Sequence, residues 1–329
     1  MRQVPSFILR VVCVVFCLAP LASRSEAAVS FEVVNRDSAG EGFNDPTAID
    51  SIGGNAATSL GEARLEALRF ALAILADALD SPVTVRVGVR FDPLGGSATA
   101  AVLGMGGSSS VFRDFAGAPH AGTWYKAPLA DRLAGMDLEP GELDLELIFN
   151  SDVDGPVVLG DAGFYYGFDA AAGDSNADFV TVALHELAHG LGFATQVDRA
   201  TGAKLLGYDD AYMRHLEHHG ASPSDFPSMT DAQRQDAIVA GGALHWVGSA
   251  GLSAGGILTA GVSPEGHLAM FAPDPPSSSS LSHLAIEAEP DELMEPFHNG
   301  AHLDLGLVLG MLQDVGWGVA PICEPLALP

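Results

Sequence analysis

Cysteine is nearly absent: only Cys13, Cys17 and Cys323 occur in 329 residues. The first two lie in a segment expected to be removed, so Cys323 is left without an intramolecular partner and a disulfide scaffold is excluded. A remaining chain of about 300 residues must rest on its apolar core, which its length allows. Basic residues are also scarce, with 15 Lys and Arg against 42 Asp and Glu, for a formal charge of −27. Removing Arg2, Arg10, Arg24 and Glu26 leaves 12 against 41, or −29. Such a charge argues against nucleic acid as a partner. It reads as a solubilising surface rather than as selection for basic substrates. Long hydrophobic runs are missing too, apart from residues 11–22, which Pro20 interrupts. Arg2 and Arg10 precede that run and small residues around Ala27 follow it, the pattern of a signal peptide over residues 1–27. The expectation is a chain that is secreted or periplasmic, with no integral membrane segment in its mature form. The Gly-rich stretch 95–110 contains no GxxxxGK[ST], so its glycines read as turns and small strand residues rather than as a phosphate cradle.

Hydrophobic periodicity outlines an α+β chain. Residues 31–34 and 83–91 read as strands, and residues 143–149 as a further strand. Between the first two, Ser59 and Glu62 have capping-box spacing, and Leu65, Leu68, Ala71, Leu72, Leu75 and Leu79 then recur at helical intervals. Asp152, Asp154, Asp161, Asp169 and Asp174 crowd the next connection. A hard cation such as Ca²⁺ takes carboxylate oxygens, but the spacing fits no calcium loop, and solvated turns are the simpler reading. Further on, residues 209–219 and 231–240 read as helices, 241–272 as short strands and turns, and 275–280 as an unstructured approach to His283. Residues 304–314 read as a final helix. No internal repeat and no clear linker divide the chain.

The chemistry concentrates in FVTVALHELAHGLGF, residues 179–193, which contains HExxH as His185, Glu186 and His189. At about 100° per residue, two histidines four apart project to one side of a helix and can grip one metal ion. Phe179, Val180, Ala183, Leu184, Leu187 and Leu191 fall on the other side, available to a core. Ser175 and Asp178 can cap the start of this helix, and Gly190 and Gly192 mark its end. Glu186 sits beside the metal face, where a carboxylate can serve as general base toward water polarised by the ion. Three protein ligands are usual at a catalytic zinc. The compact pattern HExxHxxGxxH would place the third at position 195, which is Thr. Asp209, Asp210, His215, Glu217, His218, His219, His245, His267 and His283 remain as sources. His215, His218 and His219, on an expected polar helix, read as solvent-facing. His120, His245, His267, His298 and His302 have no evident partner and are assigned nothing.

HELAHGLGF, with SHLAIEAEPDELMEP at residues 282–296, resembles the leishmanolysin branch of the metzincin metallopeptidases. The Gly192–Phe193 pair and a methionine eleven residues after His283 match that branch. The resemblance implies His185, His189 and His283 as zinc ligands, Glu186 as catalytic base and Met294 as the residue of the Met-turn. It also implies a two-lobed domain: residues 28–193 with a twisted mixed sheet and helices, the active helix at the junction, and a mostly irregular lobe over residues 194–329. Asp210 is the rival third ligand, because GYDDAY resembles a segment of the deuterolysin-type zinc peptidases. The expected activity is hydrolysis of a protein or peptide substrate, with the strand at 143–149 as the edge on which an extended substrate lies. Two rival functions are an exported adhesin or matrix-type protein with a structural zinc, and a zinc hydrolase of non-peptide amides. The chain departs from eukaryotic leishmanolysins in its lack of cysteine, which rules out a cysteine-switch prosegment. Oligomeric state is not legible in the sequence.

Overall fold

The computed structural model describes residues 27–173 and 176–319, so the expected signal peptide (bar Ala27), Asp174, Ser175 and Cys323 lie outside the described residues. The chain is α+β, with several small sheets and, among the described residues, six α-helices. The strands are β1 (Phe31–Asn35), β2 (Leu79–Asp80), β3 (Val85–Asp92), β4 (Gly104–Ser108), β5 (Val111–Phe112), β6 (Thr123–Lys126), β7 (Leu145–Asn150), β8 (Phe164–Tyr165), β9 (Ala177–Asp178), β10 (Asp209–Asp210), β11 (Leu216–His218), β12 (Leu244–Trp246), β13 (Leu268–Ala269) and β14 (Gly318–Val319). The helices are α1 (Leu60–Ala78), α2 (Ala127–Ala134), α3 (Phe179–Leu191), α4 (Asp231–Ala237), α5 (Ser249–Ala254) and α6 (Val308–Val315). No helix among the described residues is long and apolar enough to cross a membrane.

The largest sheet has the order β1-β3-β7-β4, parallel except for β4, which runs antiparallel at one edge. Val85, Val87, Val89 and Phe91 of β3 and Leu145, Leu147 and Phe149 of β7 are buried. These alternate positions face the core, while Arg86, Arg90 and Glu146 between them are only half-buried. Phe179, at the first turn of α3, packs on this surface, its ring 4.6 Å from Phe149 and 5.8 Å from Phe91. Stacked and tilted aromatic contacts of this kind anchor the helix to the sheet. Helix α1 starts where expected: Ser59 is its N-cap and accepts from the Glu62 N–H at 3.4 Å.

Four sequence expectations change. The strand at 143–149 exists as β7, but it lies between β3 and β4 rather than at an edge. The edge is β4, drawn from the glycine-rich stretch. Residues 209–219 are not a helix: β10 pairs with β6, a short 3₁₀ turn spans Met213–His215, and β11 pairs with β12. The Asp210 carboxylate accepts the Met213 N–H at 2.7 Å, the i to i+3 bond by which a cap opens a helical turn, and here it opens only the short 3₁₀ turn. Within 241–272, α5 was missed. Its first turn is capped from a distance by Asp314, which accepts from Ala250 N–H and Gly251 N–H, each at 2.8 Å. Finally, the approach to His283 is an ordered turn, with Ser280 N–H bonded to the Ser277 carbonyl at 3.2 Å and Ser277 N–H to Ser280 Oγ at 3.0 Å.

Candidate metal centre

Helix α3 presents His185 and His189 on one side because the other side is committed to the core. Phe179, Val180, Ala183, Leu184, Leu187 and Leu191 are all fully buried, as their spacing predicts. Asp178 caps the helix, accepting from the Thr181 N–H at 2.8 Å. Its own N–H donates to His298 Nε2, and His302 N–H donates to Thr181 Oγ1, so two histidines without a sequence assignment brace this end. At the far end Gly192, at φ 130°, turns the chain so that Phe193 N–H reaches the Ala188 carbonyl. A side chain there would be strained, which explains the glycine. The Leu191 carbonyl, left without a helical donor, accepts the Trp317 indole N–H at 2.8 Å.

The structure brings His185, His189 and His283 together. Their Nε2 atoms form a triangle with sides of 3.1, 3.2 and 3.2 Å. Each ring is oriented through its other nitrogen: His185 Nδ1 faces the Leu293 carbonyl at 2.8 Å, His189 Nδ1 the Phe193 carbonyl at 2.8 Å, and His283 Nδ1 the Ser279 carbonyl at 2.7 Å. A carbonyl oxygen can only accept, so each Nδ1 bears the hydrogen and each Nε2 presents a lone pair. Burial pushes all three imidazoles toward the neutral form, His185 to about 4, His283 to about 3 and His189 well below its usual value. Three lone pairs then converge with no proton to share. A cation at the centre resolves that conflict. A tetrahedral ion bonded to nitrogen at ~2.0–2.1 Å spaces its ligand atoms about 3.3 Å apart, close to the observed triangle. The residues present therefore fit a metal ion, which three neutral imidazoles oriented by backbone carbonyls could hold.

Glu186, next to the first histidine, is almost wholly buried beside this triangle. Burial raises its carboxyl to about 8, against the pull of a hydrogen bond from the Gly106 N–H. The edge strand β4 is thus in direct contact with the catalytic candidate. It can be so close only because positions 104 and 106 carry no side chain: a Cβ at Gly106 would lie 2.2 Å from the Glu186 carbonyl oxygen, and one at Gly104 would lie 3.0 Å from Glu186 Cγ.

Met294 is fully buried, and its carbonyl accepts the Leu284 N–H at 2.9 Å. Together with Leu293, which holds His185, it ties the segment after His283 to the triangle. Asp210 is not brought to the histidine triangle. Its buried carboxylate accepts from Thr195 Oγ1, Gln196 N–H and Met213 N–H, each at 2.7 Å. Thr195, at the position of the compact pattern's missing histidine, donates its N–H to Ser282 Oγ, the neighbour of His283. The acidic connection also serves internal bonds: Asp154 pairs with Arg64 at 2.7 Å, Asp152 accepts from Gly95 N–H, and Asp169 accepts from the Tyr165 hydroxyl.

The histidines of residues 209–219 are not the solvent-facing helix expected of them. His215 stacks on Trp246, with ring centroids 5.0 Å apart, while His218 is part of β11. His219 lies with His245 and His267 in a second cluster that sequence reasoning missed. Their spacing shows no motif, because only the pairing of β11, β12 and β13 makes them neighbours. A scan against protein-family models, a search of curated proteins and a search of solved structures returned no match.

Proposed function

We propose that this chain is an exported zinc-dependent endopeptidase of metzincin type, related to the leishmanolysin-like branch. The observation that carries the reading is the convergence of three Nε2 lone pairs, each ring fixed by a carbonyl, with Glu186 one residue beyond the first ligand. A purely structural zinc would have no use for that carboxylate and would normally have a fourth protein ligand. In this reading the chain has two lobes, with α3 at their junction and His283 contributed by the second. Zinc held by His185, His189 and His283 would supply Lewis acidity to the attacking water and the scissile carbonyl. Glu186 takes the proton that the water gives up and delivers it to the departing amine nitrogen. An extended substrate would add to the free side of β4, which replaces β7 as the edge beside Glu186.

Glu186→Gln preserves shape while removing the base. The expected result is a chain that holds zinc as the parent does, with hydrolysis of an unfolded protein reduced by about 10²–10⁴-fold. Undiminished hydrolysis in that variant would remove Glu186 from the mechanism.

A further inference from the structure

The sheet β11-β12-β13 presents two unlike faces. Leu216, Leu244, Trp246 and Leu268 alternate onto one face and are fully buried. Glu217 and His245 pair directly across β11 and β12, and His245 pairs with Ala269 of β13. Two residues along from these, His219 and His267 join the same opposite face. That face therefore collects three imidazoles and a carboxylate.

We propose that Glu217, His219 and His267 form a second cation site, separate from the first and structural in character. One donor atom from each of the three lies within 4.8 Å of the others. His219 Nε2 is 2.9 Å from His267 Nδ1 and 3.9 Å from a Glu217 oxygen, and His219 Nδ1 is 3.9 Å from a Glu265 oxygen. A single shared proton accounts for the contact between the two rings. Beyond that contact, a Glu217 oxygen 3.9 Å from His219 Nε2 completes a set of three donor atoms that one cation could share. The His219 ring is also supported from below, stacked on His245 at 4.0 Å between centroids. His245 itself is oriented by the Ala243 carbonyl, 3.1 Å from its Nδ1.

Two imidazoles with a carboxylate suit a divalent transition-metal ion such as Zn²⁺ or Ni²⁺ rather than Ca²⁺ or Mg²⁺, which prefer oxygen throughout. The side chains of Glu217 and His219 are 31% and 25% exposed, leaving room for water in the remaining positions. The ion would fasten β11 to the segment entering β13. That segment continues to Met270, whose N–H donates to the Leu244 carbonyl, and to Phe271, whose N–H donates to the carbonyl of His283. The site would thus brace the strand that holds His283; only this bracing role rests on the reading of the first centre.

The test is a calorimetric Zn²⁺ titration of the metal-stripped full chain, with elemental analysis of the product. Two ions are expected in the parent. His283→Ala should lose the ion at α3 and keep the other. Glu217→Gln, a substitution at a half-exposed strand position, should weaken the second ion by about tenfold or more while leaving the first. His267→Asn should do the same, and circular dichroism checks that both variants are folded. A parent that binds one ion, lost in His283→Ala and unaffected by Glu217→Gln and His267→Asn, overturns the second site alone. A second ion that survives both of those substitutions overturns it as well. One ion that is lost in them but kept in His283→Ala would support this site and overturn the first.

Discussion

The contact between β4 and α3 makes Gly106→Ala a demanding test. A Cβ at this position would be 2.2 Å from the Glu186 carbonyl oxygen, 2.7 Å from its carbonyl carbon and 2.8 Å from its Cα. All three are backbone atoms in the middle of a helix whose opposite side is buried, so no rotamer change relieves the clash. To regain ordinary contact, edge strand and helix must separate by about 1 Å, and overpacking of this kind costs about 1–3 kcal/mol. The neighbouring Gly107 has nothing within 4 Å of where its Cβ would be. Alanine at 107 should leave stability unchanged or raise it slightly, since it restricts the unfolded chain. Urea unfolding of the two variants beside the parent gives the comparison directly. Gly106→Ala should lower the midpoint at unchanged slope and also reduce hydrolysis, because Glu186 and the edge strand move apart. Equal midpoints for the Gly106 and Gly107 variants would refute the close approach of β4 to the helix, and with it the placement of substrate beside Glu186.

Removing Asp210 should separate stability from metal binding. Asp210→Ala leaves three buried donors unsatisfied and should cost about 3 kcal/mol or more, while Zn²⁺ binding at α3 persists; loss of that zinc in a folded variant would restore Asp210 as a ligand. Asp131 predicts a pH effect. Burial and the neighbouring Asp144 raise its carboxyl from 3.8 to about 7, so between those values the folded chain keeps a proton that the unfolded chain releases. Its contribution to stability is therefore fully present below about pH 4 and lost as pH rises toward 7. Asp131→Asn can still accept from Leu138 N–H and should show a shallower fall in urea midpoint between pH 5 and pH 8; an unchanged slope would contradict the raised value. Asp314→Ala removes the acceptor shared by Trp246, Ala250 and Gly251 and should lower the thermal midpoint. A midpoint equal to that of the parent would show that α5 does not depend on this cap.

Local periodicity made α1 and α3 legible, down to the six core residues on the far side of α3. It also showed that His185 and His189 share a side, because that needs only the pitch of a helix. Strand order was another matter. Residues 143–149 alternate apolar with polar positions up to Leu147, a pattern that shows which side faces the core but not whether the strand lies inside the sheet or at its edge. The edge instead came from Gly104–Ser108, whose weak strand propensity hides a position dictated by close approach to a helix 80 residues later. His283 was singled out only through resemblance, as nothing in its neighbours distinguishes it from His245 or His267. The misread helix at 209–219 shows the same limitation: Asp210 answers donors at 195 and 196, and β11 answers β12. Tertiary partners overrode the local pattern at each of these places.

The two kinds of information meet at the triangle of nitrogens. α3 brings its pair of histidines as a by-product of burying the other side, so those two positions follow from the core. The third position depends on tethers that no local pattern encodes: Ser279 to the His283 ring, Leu293 to the His185 ring, and Met294 to Leu284. Leu293 is the decisive one, since it joins the segment after His283 directly to a ligand on the helix. Orientation of His185 therefore depends on the same turn that follows the third ligand. On the proposed reading, a site of this construction would be complete only once the segment 279–294 is seated, which would couple metal binding to the seating of that segment.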